Sequence, residues 1–545
     1  MALPCTRARL RPPTMKPRDS RSTDIAIIGG GHNGLVCACY LARRGLRVAV
    51  FEAGAIVGGA AVTEEFHPGF RNSTASYTVS LLSPAVIREL RLAEHGLCIL
   101  PRPMMNFVPL ADGRALEIGN DPADTQRSLQ TFSPADAERL PAYDAALGEV
   151  VAVLREVLDM TPPNAGSGLR ALPALLGLSR RWLGLPRRTQ RAVHEFLMRG
   201  AGDILDGWFA TDALKGAFAF DAIVGHYASP YTPGSGYVLL HHALGQVDGR
   251  RGVWGHAVGG MGAITTALAR EAEACGVAIH CDAPVARVLT ERGRATGVRL
   301  ADGGEIAARA VVSAIHPKRL YLQLLDPADL DADVLERMRR YRSGSGCFRM
   351  NVALAELPRF TARPEPGPHL GSGILIAPSP GYLERAYFDA RRDGASTEPV
   401  IEMLIPSTVD ASLAPAGAHV AGLFCQHFAP RRPDGRPWDE CESATADHIL
   451  RTVDRYAPNF SRSVVGRSVL SPAGLERRFG LVDGDIFHGA LTLDQIFHAR
   501  PLLGLADYRG ALPGLYHCGA GAHPGGGVTG IPGRNAAREI ARDLA

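Results

Sequence analysis

The sequence predicts an α/β protein, a discontinuous Rossmann-type nucleotide-binding domain with an inserted α+β domain. Three observations predict it. The apolar run Ile25-Ala26-Ile27-Ile28 ends in glycines and opens a strand, helix, strand unit; strand-rich sequence with turn residues returns over residues 259–314; and the glycine cluster Cys518–Gly533 precedes a last helix. At 545 residues the chain also exceeds the roughly 250–300 at which single hydrophobic cores stop growing, so at least two domains are expected.

Ile25–Ile28 reads as a strand buried on both faces, because it does not alternate with polar residues. From Asn33 to Arg44 the apolar residues Leu35, Val36, Ala38, Cys39 and Ala42 recur at helical spacing, and Gly45 ends the helix. Val48–Phe51 is the second strand, closing at Glu52, and the crossover should be right-handed. Downstream, Gly259–Cys275 reads as a helix, Ala278–Cys281 and Val285–Leu289 as strands, and Ala310–Ala314 as a return to the parallel sheet after turns at Gly293 and Asp302-Gly303-Gly304. A helix from Pro532 to Leu544 ends the chain, with proline at an early helical position. The expected division is a leader over 1–22, nucleotide-binding segments over 23–110, 251–340 and 481–545, and a second, mixed domain over 111–250 and 341–480.

Composition narrows the function classes. Hydrophobic residues make up 46% and charged ones 21%, an ordinary globular balance. A net charge of +4 without a compact Lys/Arg block argues against nucleic acid as a partner. Ten cysteines form no framework, and Cys37 and Cys39, spaced C-x-C, read as small buried hydrophobes rather than a redox pair. No uninterrupted run of 18 apolar residues predicts a transmembrane helix. Met1–Arg18 carries five basic and no acidic residues, so it reads either as a targeting segment or as an unstructured leader. Leu169–Arg188 mixes leucines and Trp182 with arginines, but Pro173, Gly184 and Pro186 break it; a surface helix pair is expected, with peripheral membrane contact the alternative.

Gly29-Gly30-Gly31-His32-Asn33-Gly34 fits G-x-G-x-x-G between a strand and a helix. Gly29 serves the tight turn, Gly31 lets the backbone approach a pyrophosphate, and Gly34 lets the helix pack on the sheet. Glu52 is placed to accept hydrogen bonds from an adenosine ribose. NAD and FAD sites share this fingerprint. The second pair, Gly58-Gly59, resembles FAD sites more than NAD sites, while an NAD-dependent dehydrogenase remains an alternative that predicts no yellow chromophore. Gly519, Gly526, Gly527 and Val528, in the terminal cluster, would bring backbone against a flat ligand, with the last helix aimed at the flavin N1/O2 edge.

Gly58–Glu65, Thr232–His242 and Gly519–Asn535, with the Gly29–Glu52 fingerprint, resemble the carotenoid/retinoid oxidoreductase family, the phytoene desaturase-like flavoproteins. The resemblance runs from about Asp24 to the C-terminus. It implies an FAD fold of the glutathione-reductase-2 type, an oxidoreductase acting on a hydrophobic small molecule by hydride transfer to flavin N5, the mitochondrial matrix in eukaryotes and the cytoplasm in bacteria. It also places Val285 by a backbone contact at the adenine and Ser313-Ala314 beside FAD. This chain departs where relatives carry arginine after the second glycine pair (here Ala60) and an acid after Gly519 (here Ala520). His523, His241 and His242 are the candidates for orienting substrate or taking a proton, since imidazole titrates near neutrality. No His/Cys/carboxylate spacing points to a metal. A flavin-binding regulatory or interaction protein with little turnover is the second reading, and a homodimer or a protein partner stays open.

Overall fold

The computed structural model describes residues 22–164, 168–169 and 171–545; the expected leader before Ser22, and Arg170 of the leucine/arginine stretch, lie outside them. The chain opens with β1 (Ser22–Ile28), α1 (His32–Ala42) and β2 (Val48–Phe51). Helix α1 stops before the turn at Gly45, whose φ of +83° no helix accommodates and which donates to Ala42 O at 2.9 Å. In the first sheet Ala278–His280, β2, β1, Glu305–Ser313 and Leu515–His517 run parallel in that spatial order, with Ile25 opposite both Val48 and Ala310. Glu305–Ser313 is one long strand: its first residues close an antiparallel meander with Val285–Glu291 and Arg294–Leu300, and its later ones enter the parallel sheet. The expected return to the sheet therefore begins earlier, within the meander itself.

Both faces of this sheet are covered, which is why its strands lack polar alternation. Ile25, Ile27, Val50 and Val312 pack with α1, Gly262–Ala274 and Ile531–Leu544 on one side. Ala26, Ile28, Phe51 and Val311 pack on the other with Leu320, Tyr321 and Met338. The helix expected from Gly259 starts at Gly262, because Gly259 and Gly260 hold φ of +87° and +81°. Cys37 and Cys39 are buried free thiols.

The second sheet also has seven strands, in the order Val464–Leu470, Cys347–Leu354, His419–Phe428, Ala395–Leu404, Gly373–Ile376, Asn106–Pro109, Ala115–Ile118. Its one parallel contact joins Asn106–Pro109 to Gly373–Ile376 across some of the longest sequence separations in the fold. Helices Pro134–Leu158, Arg187–Met198, Ala201–Trp208, Asp212–Asp221 and Ser235–Ala243 share its core. The leucine/arginine stretch forms two helices, Leu172–Gly184 and Arg187–Met198, broken at Leu185-Pro186, as the prolines predict. Among the described residues no helix is long and apolar enough to cross a membrane.

Candidate active site

The two glycine motifs build one wall. Gly29 leaves β1 with φ +98°, and a Cβ on Gly34 would stand 2.2 Å from Gly29 O, so only glycine lets α1 pack this tightly on the turn. Gly31 is the N-cap of α1, with no side-chain cap, and a Cβ there would meet nothing within 4 Å. Its open side faces the cavity, where unpaired helix amides favour an anion. Gly58 donates to Gly30 O at 2.9 Å, and a Cβ on Gly59 would lie 3.4 Å from Gly31 Cα. Glu52 is fixed by backbone: its Oε2 accepts from Gly30 N at 2.7 Å and its Oε1 from Gly54 N at 2.8 Å.

A cavity of about 880 Å³ runs from this wall through the core. Gly29, Gly31, Gly34, Glu52, Gly58, Gly59 and Val285 line one end; Gly526, Gly527, Val528 and His242 line it further in. Ala314 and Ala520 also line it, whereas Ser313 lies buried beneath. Gly519 is not in the wall: a Cβ there would strike Ala314 O at 2.4 Å, so this glycine serves the crossing of two chain segments. Val528 is β-branched yet held at φ +56°, a conformation that costs on the order of 1–3 kcal/mol and concentrates at functional sites.

Of the three candidate histidines, only His242 faces the cavity. Its Nδ1–H donates to Val238 O at 2.9 Å, which leaves Nε2 with the lone pair, and burial lowers its pKa to about 4. His523 points away from the cavity, donating from Nε2 to Val157 O at 3.0 Å with its ring edge-on to Phe497. His241 stands behind Gly527, edge-on to Phe487, with both ring nitrogens unpartnered. Those two are held by packing, not aimed at a ligand. The steric reason for the terminal glycines also differs from the expected one. A Cβ on Gly526 would meet Phe487 Cδ1 at 2.4 Å and one on Gly527 would meet Leu81 Cδ1 at 2.5 Å, so both are required first by protein packing.

Other residues in the wall have no role assigned by the motifs, even where, like His32 and Asn33, they sit inside one. His32, His316 and His488 line the cavity, and burial lowers the pKa of His32 to about 4 and of His488 to about 3. His32 Nε2, His488 Nδ1 and Asn33 Oδ1 are buried without partners, unused hydrogen-bonding capacity that protein interiors rarely tolerate. Deeper in, Tyr77 donates to Glu402, whose other oxygen takes Arg102 Nη1 at 3.2 Å, and the Tyr77 ring lies 4.7 Å below the Arg349 guanidinium. Tyr77 and Glu402 are 325 positions apart, so no spacing could reveal them.

Residues 34–353 match the family described as flavin containing amine oxidoreductase. The chain belongs to this family. Like its relatives it is an FAD-dependent oxidoreductase of the phytoene desaturase-like group. It is 41% identical to rat pyridine nucleotide-disulfide oxidoreductase domain-containing protein 2, over 96% of this chain and 94% of the relative. It is 29% identical to hydroxyneurosporene desaturase of Cereibacter sphaeroides, over 96% and 98% of the two chains. Among solved structures, cyclohexylamine oxidase of Brevibacterium oxydans shares the fold with a TM-score of 0.56 at 16% identity, covering 96% of this chain and 99% of that one.

The cavity fits the family's cofactor. A Gly31 surface with no neighbour at the Cβ position, an anchored Glu52 carboxylate, and the orphaned atoms of His32 and Asn33 offer backbone approach, a ribose acceptor and polar partners along one connected wall. The flavin supplies the electron-accepting chemistry when bound, and the protein supplies position, orientation and field.

Proposed function

We propose that this oxidoreductase dehydrogenates a hydrophobic small molecule, held beyond the flavin in the inner half of the cavity. The observation that carries the reading is the change of lining along one continuous space. The outer end is glycine backbone and Glu52; past Gly527 the wall gains Leu81, Val224, Trp254, Phe424 and Phe487, with Tyr77 and His242 as its polar members. An apolar chamber of this kind binds by excluding water and holds a C–H bond against the ring, which is what hydride transfer chiefly requires. Hydroxyneurosporene desaturase among the relatives agrees with such a substrate.

In this reading Gly31, Gly34, Gly58 and Gly59 hold the pyrophosphate end, Glu52 the adenosine ribose, Val285 the adenine, and Gly526, Gly527 and Val528 the flavin edge. His242, the candidate histidine in the cavity wall, orients substrate or accepts its proton. The proposed compartment is the mitochondrial matrix in a eukaryotic cell and the cytoplasm in a bacterial one.

Peripheral membrane contact is favoured by one specific observation. The helix Leu172–Gly184 buries none of its side chains, exposing Leu172, Leu175, Leu176 and Leu183 at helical spacing beside Trp182, Arg180 and Arg181. A hydrophobic substrate dissolved in a bilayer gives such a surface a use.

The test is anaerobic mixing of the purified yellow protein with two panels, unsaturated terpenoid or polyene compounds and primary or secondary amines. Bleaching of the flavin by the first panel alone supports the reading. Bleaching by amines alone replaces it with amine oxidation.

A further inference from the structure

We propose that Arg500 is the fixed positive charge that balances the negative charge left on the flavin when substrate is oxidised. The inference rests on the assignment of the cavity to FAD. Arg500 is fully buried, 0% exposed, and its guanidinium donates only to main-chain carbonyls. Nε and Nη2 reach Ala520 O at 3.2 and 2.8 Å, Nη1 reaches Gln495 O at 3.2 Å and Gly489 O at 3.3 Å, and Nη2 also reaches Gly489 O and Phe487 O. Among the described residues no carboxylate forms an ion pair with it. Asp485, on the neighbouring turn, is committed elsewhere: its carboxylate takes the amides of Gly344 and Phe487, both at 2.8 Å. Arg102, by contrast, meets Glu402 directly.

A buried charge without a counter-ion is costly and persists only where the surroundings demand it. Here the surroundings are the cavity wall. Phe487 and Ala520, whose carbonyls Arg500 holds, both line the cavity, and a Cβ on Gly525 would lie 3.7 Å from Arg500 Nε. The charge thus stands one peptide layer behind the cavity wall, beside Gly525 in the loop that leads on to the helix Ile531–Leu544. The imidazoles around it, His241, His316 and His488, are kept neutral by burial, with the Arg500 charge adding to the effect. The field at this edge therefore comes from the guanidinium, opposed by Asp485, a buried carboxyl whose pKa is raised by burial and drawn down by the Arg500 charge.

The charge balance is simple. A hydride carries two electrons and one proton from the substrate carbon, leaving one negative charge at the N1/C2=O edge, while any second substrate proton departs to a separate base. Arg500 acts by field alone.

Two substitutions and one measurement on the parent test this, all without substrate. In the FAD-loaded full-length protein, sulfite affinity reports tolerance for negative charge on the flavin. Arg500→Gln should weaken it at least tenfold and lower the two-electron midpoint potential by about 30 mV for each tenfold. Arg500→Lys, which keeps the charge but loses the fork, should stay within about threefold of the parent. A parent-like Arg500→Gln, or an Arg500→Lys as impaired as Arg500→Gln, would overturn the proposal and leave Arg500 a clamp. Should the variants not fold, the parent decides. On the acid side of neutrality, where a reduced flavin without a compensating charge takes up a second proton, a midpoint potential falling about 30 mV per pH unit means one proton per two electrons and supports a compensated anion; about 59 mV means two protons and refutes it. A protein that binds no FAD at all would instead sink the cofactor assignment, a distinguishable failure.

Discussion

The amide of Gly30 donates to Glu52 Oε2 at 2.7 Å, so the middle of the first glycine turn and the acid at the end of β2 hold one another in place. One carboxylate thereby organises the turn and still presents lone pairs to the cavity.

Glu52→Ala should therefore act twice, loosening the turn and removing the proposed ribose acceptor. The expected loss in FAD affinity is about tenfold or more, roughly 1.4 kcal/mol. Titration of the apoprotein with FAD measures it, and unchanged affinity would show that Glu52 only braces the turn.

Gly526→Ala should lower thermal stability by about 1–3 kcal/mol, because the new methyl collides with the Phe487 ring. The double variant Gly526→Ala/Phe487→Ala should show coupling, costing less than the sum of the single changes. Strict additivity would place the glycine requirement elsewhere, and an FAD titration alongside separates packing from cofactor contact.

Acid should destabilise the protein through its buried histidines, whose number outweighs the opposing contribution of Asp144 and Asp221, carboxyls that burial raises to about 6 and about 7. Burial lowers the pKa of His32, His226, His242, His517 and His523 to about 4 and of His427 to about 3. The unfolded chain, with histidines near 6.5, then binds more protons than the folded one between about pH 6.5 and 4, so stability is full above that window and falls with pH inside it. Each such histidine contributes at most about 1.4 kcal/mol per pH unit. Thermal unfolding at pH 7, 6 and 5 should show a steep fall in Tm, and a flat profile would contradict the neutral, buried state of these rings.

Leu176→Asp with Leu183→Asp should abolish sedimentation with anionic phosphatidylglycerol vesicles while leaving FAD content unchanged. The helix that carries both side chains buries nothing in the fold, so stability should move by less than about 0.5 kcal/mol. Equal sedimentation of parent and variant would remove membrane contact from the account of this surface.

The first glycine turn was legible because every part of it is local. β1, α1, β2 and Glu52 lie within about thirty residues, and each glycine answers a backbone demand that periodicity can flag. The second sheet was harder to read. Asn106–Pro109 pairs with Gly373–Ile376, and nothing in either stretch names its partner. Arg500 is invisible for another reason, since a lone arginine between loop residues looks like a surface group until the fold closes over it. His523 and His241 misled because sequence shows a titratable ring but not its direction; one faces Val157 and the other lies behind Gly527. Gly526 and Gly527 stand out in the sequence as part of a glycine cluster, but the neighbours that crowd a side chain there, Phe487 and Leu81, do not.

The sheet that bears the cofactor wall is completed only by Leu515–His517, the last strand of the chain, which adds to Val311–Ser313. A ribosome has therefore delivered about two hundred residues beyond Glu305–Ser313 before that strand gains its last neighbour, and the β1–α1–β2 unit must wait with the sheet unfinished. A chain stopped before residue 515 leaves the edge of Glu305–Ser313 unpaired, an open row of main-chain donors and acceptors beside the cavity wall.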